Sequence, residues 1–167
     1  MLIQTMFVII LLACALYDLT SLRIPNYLNA MLIALFAVVV AARPNGVDLV
    51  GHGLVFLGML AFGAICFYRG YWGGGDVKLY AASALWMGPE LIISFVVCVS
   101  ILAGVFAVCL LAVRRLVAML AVMDRSWLAA RTRPRVLAVG EGIPFAVPLS
   151  LSAILLMSQL SPRVWVF

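Results

Sequence analysis

The chain has 167 residues, 67% of them hydrophobic and 10% charged, with a formal net charge of +5 and a mean hydropathy of +1.24. Soluble domains carry about 25% charged residues, so this composition excludes an ordinary soluble enzyme and leaves little chain for a water-facing domain. About six helical spans of roughly 20 residues fit in this length, and the apolar runs are continuous rather than alternating, which excludes a membrane barrel. The expected fold is an all-α membrane protein, a polytopic bundle of about six transmembrane helices forming a single domain over residues 1–167.

Residues 1–16 are apolar and lack the basic start and small-residue cleavage site of a secretory signal, so they read as a retained first span, closed by Tyr17-Asp18. Residues 19–26 are a polar break in which Pro25 suits the first turn of the next helix. That second helix is expected over 27–42, and Arg43-Pro44-Asn45-Gly46 has the turn chemistry to end it. A third span is expected over 49–68, with Gly51, Gly53, Gly58 and Gly63 offering small faces for close helix packing. A loop over 69–75 leads to a short fourth helix that starts near Asp76 and stops at Gly88-Pro89, and a fifth is expected over 91–113.

The stretch 114–135 holds six arginines against the single acid Asp124, with apolar residues interleaved. It reads either as an amphipathic helix on anionic headgroups or as a solvated cytoplasmic loop. A sixth span is expected over 142–160, opened by Glu141 and interrupted by Pro144 and Pro148. Cys14, Cys66, Cys98 and Cys109 lie in apolar runs without a CxxC pair and read as small buried hydrophobes rather than a zinc site or disulfide framework. His52 stands alone and reads as structural.

Short cytoplasmic loops collect Lys and Arg. An outside N-terminus places nine basic residues on inner loops and leaves Arg43 and Arg163 outside. Asp18 then ends the first span going inward and Asp76 begins the fourth going outward, which sets the two carboxylates at similar depth. The other acids, Asp48, Glu90, Asp124 and Glu141, fall in or beside expected loops, where solvation explains them. A carboxylate at a membrane boundary is a functional candidate, because the ionised form is costly there unless paired or hydrated. Two such groups in proximity share a proton. One can then deprotonate a water while the other hydrogen-bonds a peptide carbonyl, the chemistry of an aspartic protease. The same pair also admits a cation site or a helix cap.

Tyr17-Asp18, followed by Ile24-Pro25-Asn26-Tyr27-Leu28-Asn29 and then by Gly73-Gly74-Gly75-Asp76-Val77-Lys78-Leu79, resembles the two motifs of the prepilin peptidases, the bacterial GxGD-type membrane aspartic proteases. Among them it looks most like the short members that serve tight-adherence (Flp-type) pili. The resemblance implies six transmembrane helices and removal of the short, basic, cytoplasmic leader of prepilins and pseudopilins, with Asp18 and Asp76 catalytic. Side-chain chemistry suggests supporting roles beside them: Gly73 and Gly75, the two glycines of GxGD, would let the loop bend and the substrate approach; Lys78 would bond a loop carbonyl, act on Asp76 or serve as an interfacial anchor; Pro25 and Asn26 would fix the turn that aims Asp18 or simply start the helix; and Pro144, in a segment resembling the family's late proline segment, would free backbone groups near the site or kink the helix. The larger members carry a further domain with paired CxxC motifs, associated with methylating the new N-terminus. That domain is missing here, so no methyltransferase activity, cofactor or metal is expected.

The implied partners are a prepilin or pseudopilin precursor and the lipid bilayer, with no nucleic acid, in the bacterial inner membrane with the active site facing the cytoplasm. The arginines of the inner face argue against simple charge steering of a basic leader. Two other readings stand beside this one. The intramembrane presenilin and signal-peptide-peptidase group is also similar, though it has more spans and deeper aspartates. A non-enzymatic scaffold or small ion or proton transporter would use Asp18 and Asp76 to bind a cation.

Overall fold

The computed structural model describes residues 2–42, 46–123, 136 and 142–159. Apolar runs without interior breakers become helices, because only an internally bonded backbone tolerates a hydrocarbon environment. They are α1 (Leu2–Ser21), α2 (Asn26–Ala42), α3 (Leu49–Tyr68), α4 (Gly74–Met123) and α5 (Ala146–Gln159), and the described residues hold no strand. Three of these, α1, α3 and the 74–120 part of α4, are long and apolar enough to cross a membrane, while α2 and α5 are shorter apolar helices. The protein is an all-helical membrane bundle.

α4 is two limbs. Gly88 sits at φ 61°, ψ −173°, inside the assigned helix and just before Pro89. Only glycine occupies that backbone region readily. The Tyr80 and Phe95 rings stack with centroids 5.5 Å apart, whereas fifteen residues of straight helix would separate them by about 22 Å. The chain therefore reverses at Gly88, and limb 89–123 runs back along limb 74–87, the arrangement expected from Gly88-Pro89. His52 packs into the reversal, its Nδ1 2.6 Å from the Leu85 carbonyl oxygen and its ring 5.3 Å from Phe36. That is a structural role.

The first limb is the centre of the bundle. From Leu79 to Met87 every residue is buried, and α4 packs against α2, α3 and α5. A helix apolar on all sides belongs in such a position, and Ala81, Ala82 and Ala84 let its neighbours approach closely. α3 lies antiparallel to it, with Gly63 against Val77 and Gly51 near Pro89; a Cβ on Gly63 would come within 2.6 Å of Val77 Cγ1. Gly53 and Gly58 have nothing within 4 Å, so the close-packing face expected of all four glycines is confined to two. α2 runs parallel to the limb, tied by Lys78 Nζ donating to Asn26 Oδ1 at 2.9 Å and Trp86 Nε1 donating to the Leu32 carbonyl at 3.1 Å.

Several boundaries differ from the expectation. α1 continues through Leu19 and Thr20 to Ser21, so Asp18 is a helical residue rather than a terminator. Thr20 and Ser21 return their hydroxyls to the Leu16 and Tyr17 carbonyls, which lets polar residues remain in the helix. The fifth expected helix does not stop at 113; limb 89–123 carries ten residues further. The last helix begins at Ala146, which leaves Pro144 in the preceding turn, and Pro148 falls in the first turn, where a missing N–H costs nothing. Neither proline interrupts a span.

Candidate active site

Asp76 owes its position to the start of α4. Gly73 is the N-cap, since its carbonyl accepts the first helical bond from Val77 N–H at 3.1 Å. Asp76, the third helical residue, turns its carboxylate back onto the Gly73 N–H. This is the acidic half of a capping box, with glycine in place of the usual hydroxyl residue. A Cβ on Gly73 would lie 3.0 Å from Asp76 Oδ2, and one on Gly75 3.2 Å from Ile24 Cβ. The left-handed glycine of this loop is Gly70, at φ 75°. Gly73 and Gly75 thus serve close approach rather than bending: one leaves room for the carboxylate, the other for the loop between α1 and α2.

Asp18 is 5% exposed, and its Oδ2 accepts a hydrogen bond of 2.8 Å from the backbone N–H of Ala146. Ala146 opens α5, so a carboxylate of α1 caps the last described helix across 128 residues of sequence. The partner is a backbone group, which explains why side-chain patterns did not point to it. Asp18 lies three residues before the end of α1, about 5 Å of rise. Gly63 opposes Val77, so Asp76 lies level with the penultimate turn of α3, about 6 Å from that helix end. The two aspartates occupy the same end of the bundle at matching depth, and the Asp18 carboxylate acts electrostatically on Asp76.

The supporting residues separate. Lys78 bonds Asn26, not Asp76, and so fixes the start of α2 against the first limb. Pro25 precedes α2 and its carbonyl accepts from Leu28 N–H at 3.2 Å, which makes it a helix-start residue. Pro144 is fully buried two residues before Ala146, in the turn that presents the Ala146 N–H to Asp18. Aromatic rings line this turn and the 69–73 loop: Trp72 lies 5.3 Å from Phe145 and 5.3 Å from Tyr80.

Arg114 departs from the expectation for the basic stretch. Arg114 is 5% exposed and donates through Nε to the Val136 carbonyl and through Nη2 to the Gly142 carbonyl, both at 2.8 Å. It neither lies on headgroups nor faces solvent; it ties the chain ahead of α5 to the second limb. Arg115 is exposed, and the stretch 124–135 lies outside the described residues. A lone arginine at the head of a basic string carries no mark that separates an anchor from its solvated neighbours.

The arrangement offers two carboxylates at one end of an apolar bundle, each oriented by a backbone N–H, with no group of three or more His, Cys, Asp or Glu among the described residues that could hold a metal ion. The family model described as the type IV leader peptidase family matches residues 5–108, more than half of the chain and both aspartates. The chain belongs to the type IV leader peptidase family. Neither the curated proteins nor the solved structures gave a match. As a type IV leader peptidase it is a membrane-embedded hydrolase of peptide bonds. The matched region ends within the second limb, so Arg114 and the Pro144 to Ala146 turn, which orient Asp18, lie beyond it.

Proposed function

We propose that this leader peptidase removes the short cytoplasmic leader of Flp-type prepilins and pseudopilins in the bacterial inner membrane, using Asp18 and Asp76 as a two-aspartate hydrolytic pair. The observation that carries this reading is that Asp18 and Asp76 lie at one depth and one end of the bundle, although they are 58 residues apart in sequence. One ionised carboxylate takes a proton from water as the oxygen attacks the scissile carbonyl carbon, and the other, protonated, donates to the carbonyl oxygen. The tetrahedral intermediate then collapses as the C–N bond breaks and a proton passes to the leaving amine. Products are a leader ending in a carboxylate and a mature chain with a free amine; one water is consumed and no oxidant or cofactor is needed.

The excess of Lys and Arg on the loops of the aspartate end supports a cytoplasmic orientation for it, and a positively charged leader would remain there while the apolar pilin helix lies among lipid. Exposed apolar faces on α1, α3 and the second limb are surfaces along which such a helix could move in the bilayer. Methylation of the new N-terminus is outside this proposal.

The test is incubation of the purified protein in lipid with a candidate Flp-type prepilin, with both products read by mass spectrometry. A single cut between the basic leader and the apolar helix is expected. An intact precursor, under conditions where a related peptidase cleaves it, would overturn the assignment.

A further inference from the structure

Most helical serines described here return their hydroxyl to their own helix, as Ser100 does to the Val96 carbonyl and Ser152 to the Pro148 carbonyl, both at 2.7 Å. Ser83 and Ser150 do not. Both are buried, at 0% and 1% exposure, and neither Oγ has a hydrogen-bond partner among the described residues. Asn29 is 3% exposed, and neither amide atom has a hydrogen-bond partner among the described residues.

These three groups share a depth. Ser150 is one turn beyond Ala146, the residue whose N–H holds Asp18, on the same buried stripe of α5. Ser83 is seven residues beyond Asp76, again on the same stripe. Asn29 lies midway between Asn26, bonded to Lys78, and Leu32, bonded to Trp86, which sets it level with about residue 82 of the first limb. Each is displaced inward from the aspartate end by about 6–10 Å. Buried polar groups in native proteins find partners, and internal water is the usual one where protein supplies none. Two hydroxyls and an amide offer the two to four contacts that such a water needs.

We propose that Ser83 and Ser150, with Asn29 at the same depth, form an internal hydration site beneath the two aspartates that holds the water which replaces the molecule consumed in peptide hydrolysis. This rests on the reading of Asp18 and Asp76 as the hydrolytic pair. A bound substrate fills the approach from the aqueous face, so a resident water one or two turns below replaces the consumed molecule without crossing the substrate.

Two measurements on the full chain test it. Crystals grown in lipidic mesophase should show ordered solvent within hydrogen-bonding distance of Ser83 Oγ and Ser150 Oγ. The double variant Ser83→Ala, Ser150→Ala should lower kcat for prepilin cleavage by about tenfold, the rate equivalent of one neutral hydrogen bond. KM and the unfolding midpoint should stay unchanged, and Ser100→Ala and Ser152→Ala should cleave normally. Dry apolar packing at the two hydroxyls overturns the proposal, and so does solvent there with an unaltered kcat in the double variant. A native protein that cuts no precursor defeats the peptidase reading instead, and the solvent density still decides whether the hydration site exists.

Discussion

Replacing Arg114 by methionine keeps most of the side-chain length and removes the charged donors. In the native protein the guanidinium, 5% exposed, donates to the Val136 and Gly142 carbonyls at 2.8 Å each. Hydrogen bonds from a charged donor contribute about 1.5–3 kcal/mol apiece, so the gross loss is about 3–6 kcal/mol. Removing a buried charge relieves several kcal/mol of desolvation, which leaves a net destabilisation of about 2 kcal/mol, an order-of-magnitude figure. The effect on activity runs along the chain: Gly142 is four residues from Ala146, whose N–H orients Asp18. Arg114→Met should therefore lower the unfolding midpoint in detergent and reduce kcat for prepilin cleavage. Arg114→Lys should fall between, since a point charge does not reproduce the two-pronged guanidinium. Thermal unfolding and cleavage kinetics on the same preparations measure both effects. A methionine variant that unfolds and cleaves like the native protein would refute Arg114 as the anchor of the turn before α5.

Gly88→Ala should destabilise strongly, because the added Cβ would fall 2.5 Å from the His52 ring at a φ of +61°; adding His52→Ala should restore part of the unfolding midpoint, and a full restoration would show that backbone strain is negligible. Gly63→Ala should cost about 1–3 kcal/mol by overpacking against Val77, read by the same unfolding assay, and a neutral result would mean that α3 shifts freely. Lys78→Met should cost about 1 kcal/mol through the lost bond to Asn26 and should leave measurable cleavage; abolished cleavage with a normal fold would assign Lys78 a direct catalytic part.

Which parts of this could be read in advance depends on the range of the interactions. Apolar runs locate helices because the constraint is local to each segment, and Gly88-Pro89 marks its reversal because only glycine takes that φ and ψ. The glycine run before Asp76 was legible for a similar reason: three residues without Cβ leave a carboxylate approachable. Other features depend on partners remote in sequence. A charge in an apolar run looks like a stop, which makes Asp18 the expected end of the first span, but its bond to the Ala146 N–H sustains it inside α1. The burial of Arg114 is invisible until the chain returns to give it two carbonyls. Pro144 reads as an interruption of the last span because the bond that marks the start of α5 comes from Asp18, which lies on another helix.

The central claim, that Asp18 and Asp76 together hydrolyse the peptide bond, is tested most directly by Asp18→Asn and Asp76→Asn. Asparagine keeps an acceptor oxygen for the Ala146 and Gly73 N–H groups, so both variants should remain folded. Purified beside the native protein and given the same prepilin in lipid, each should lose cleavage by at least about 100-fold, the scale of acid–base catalysis. A folded variant that still shortens the precursor at the native rate would contradict the two-aspartate account.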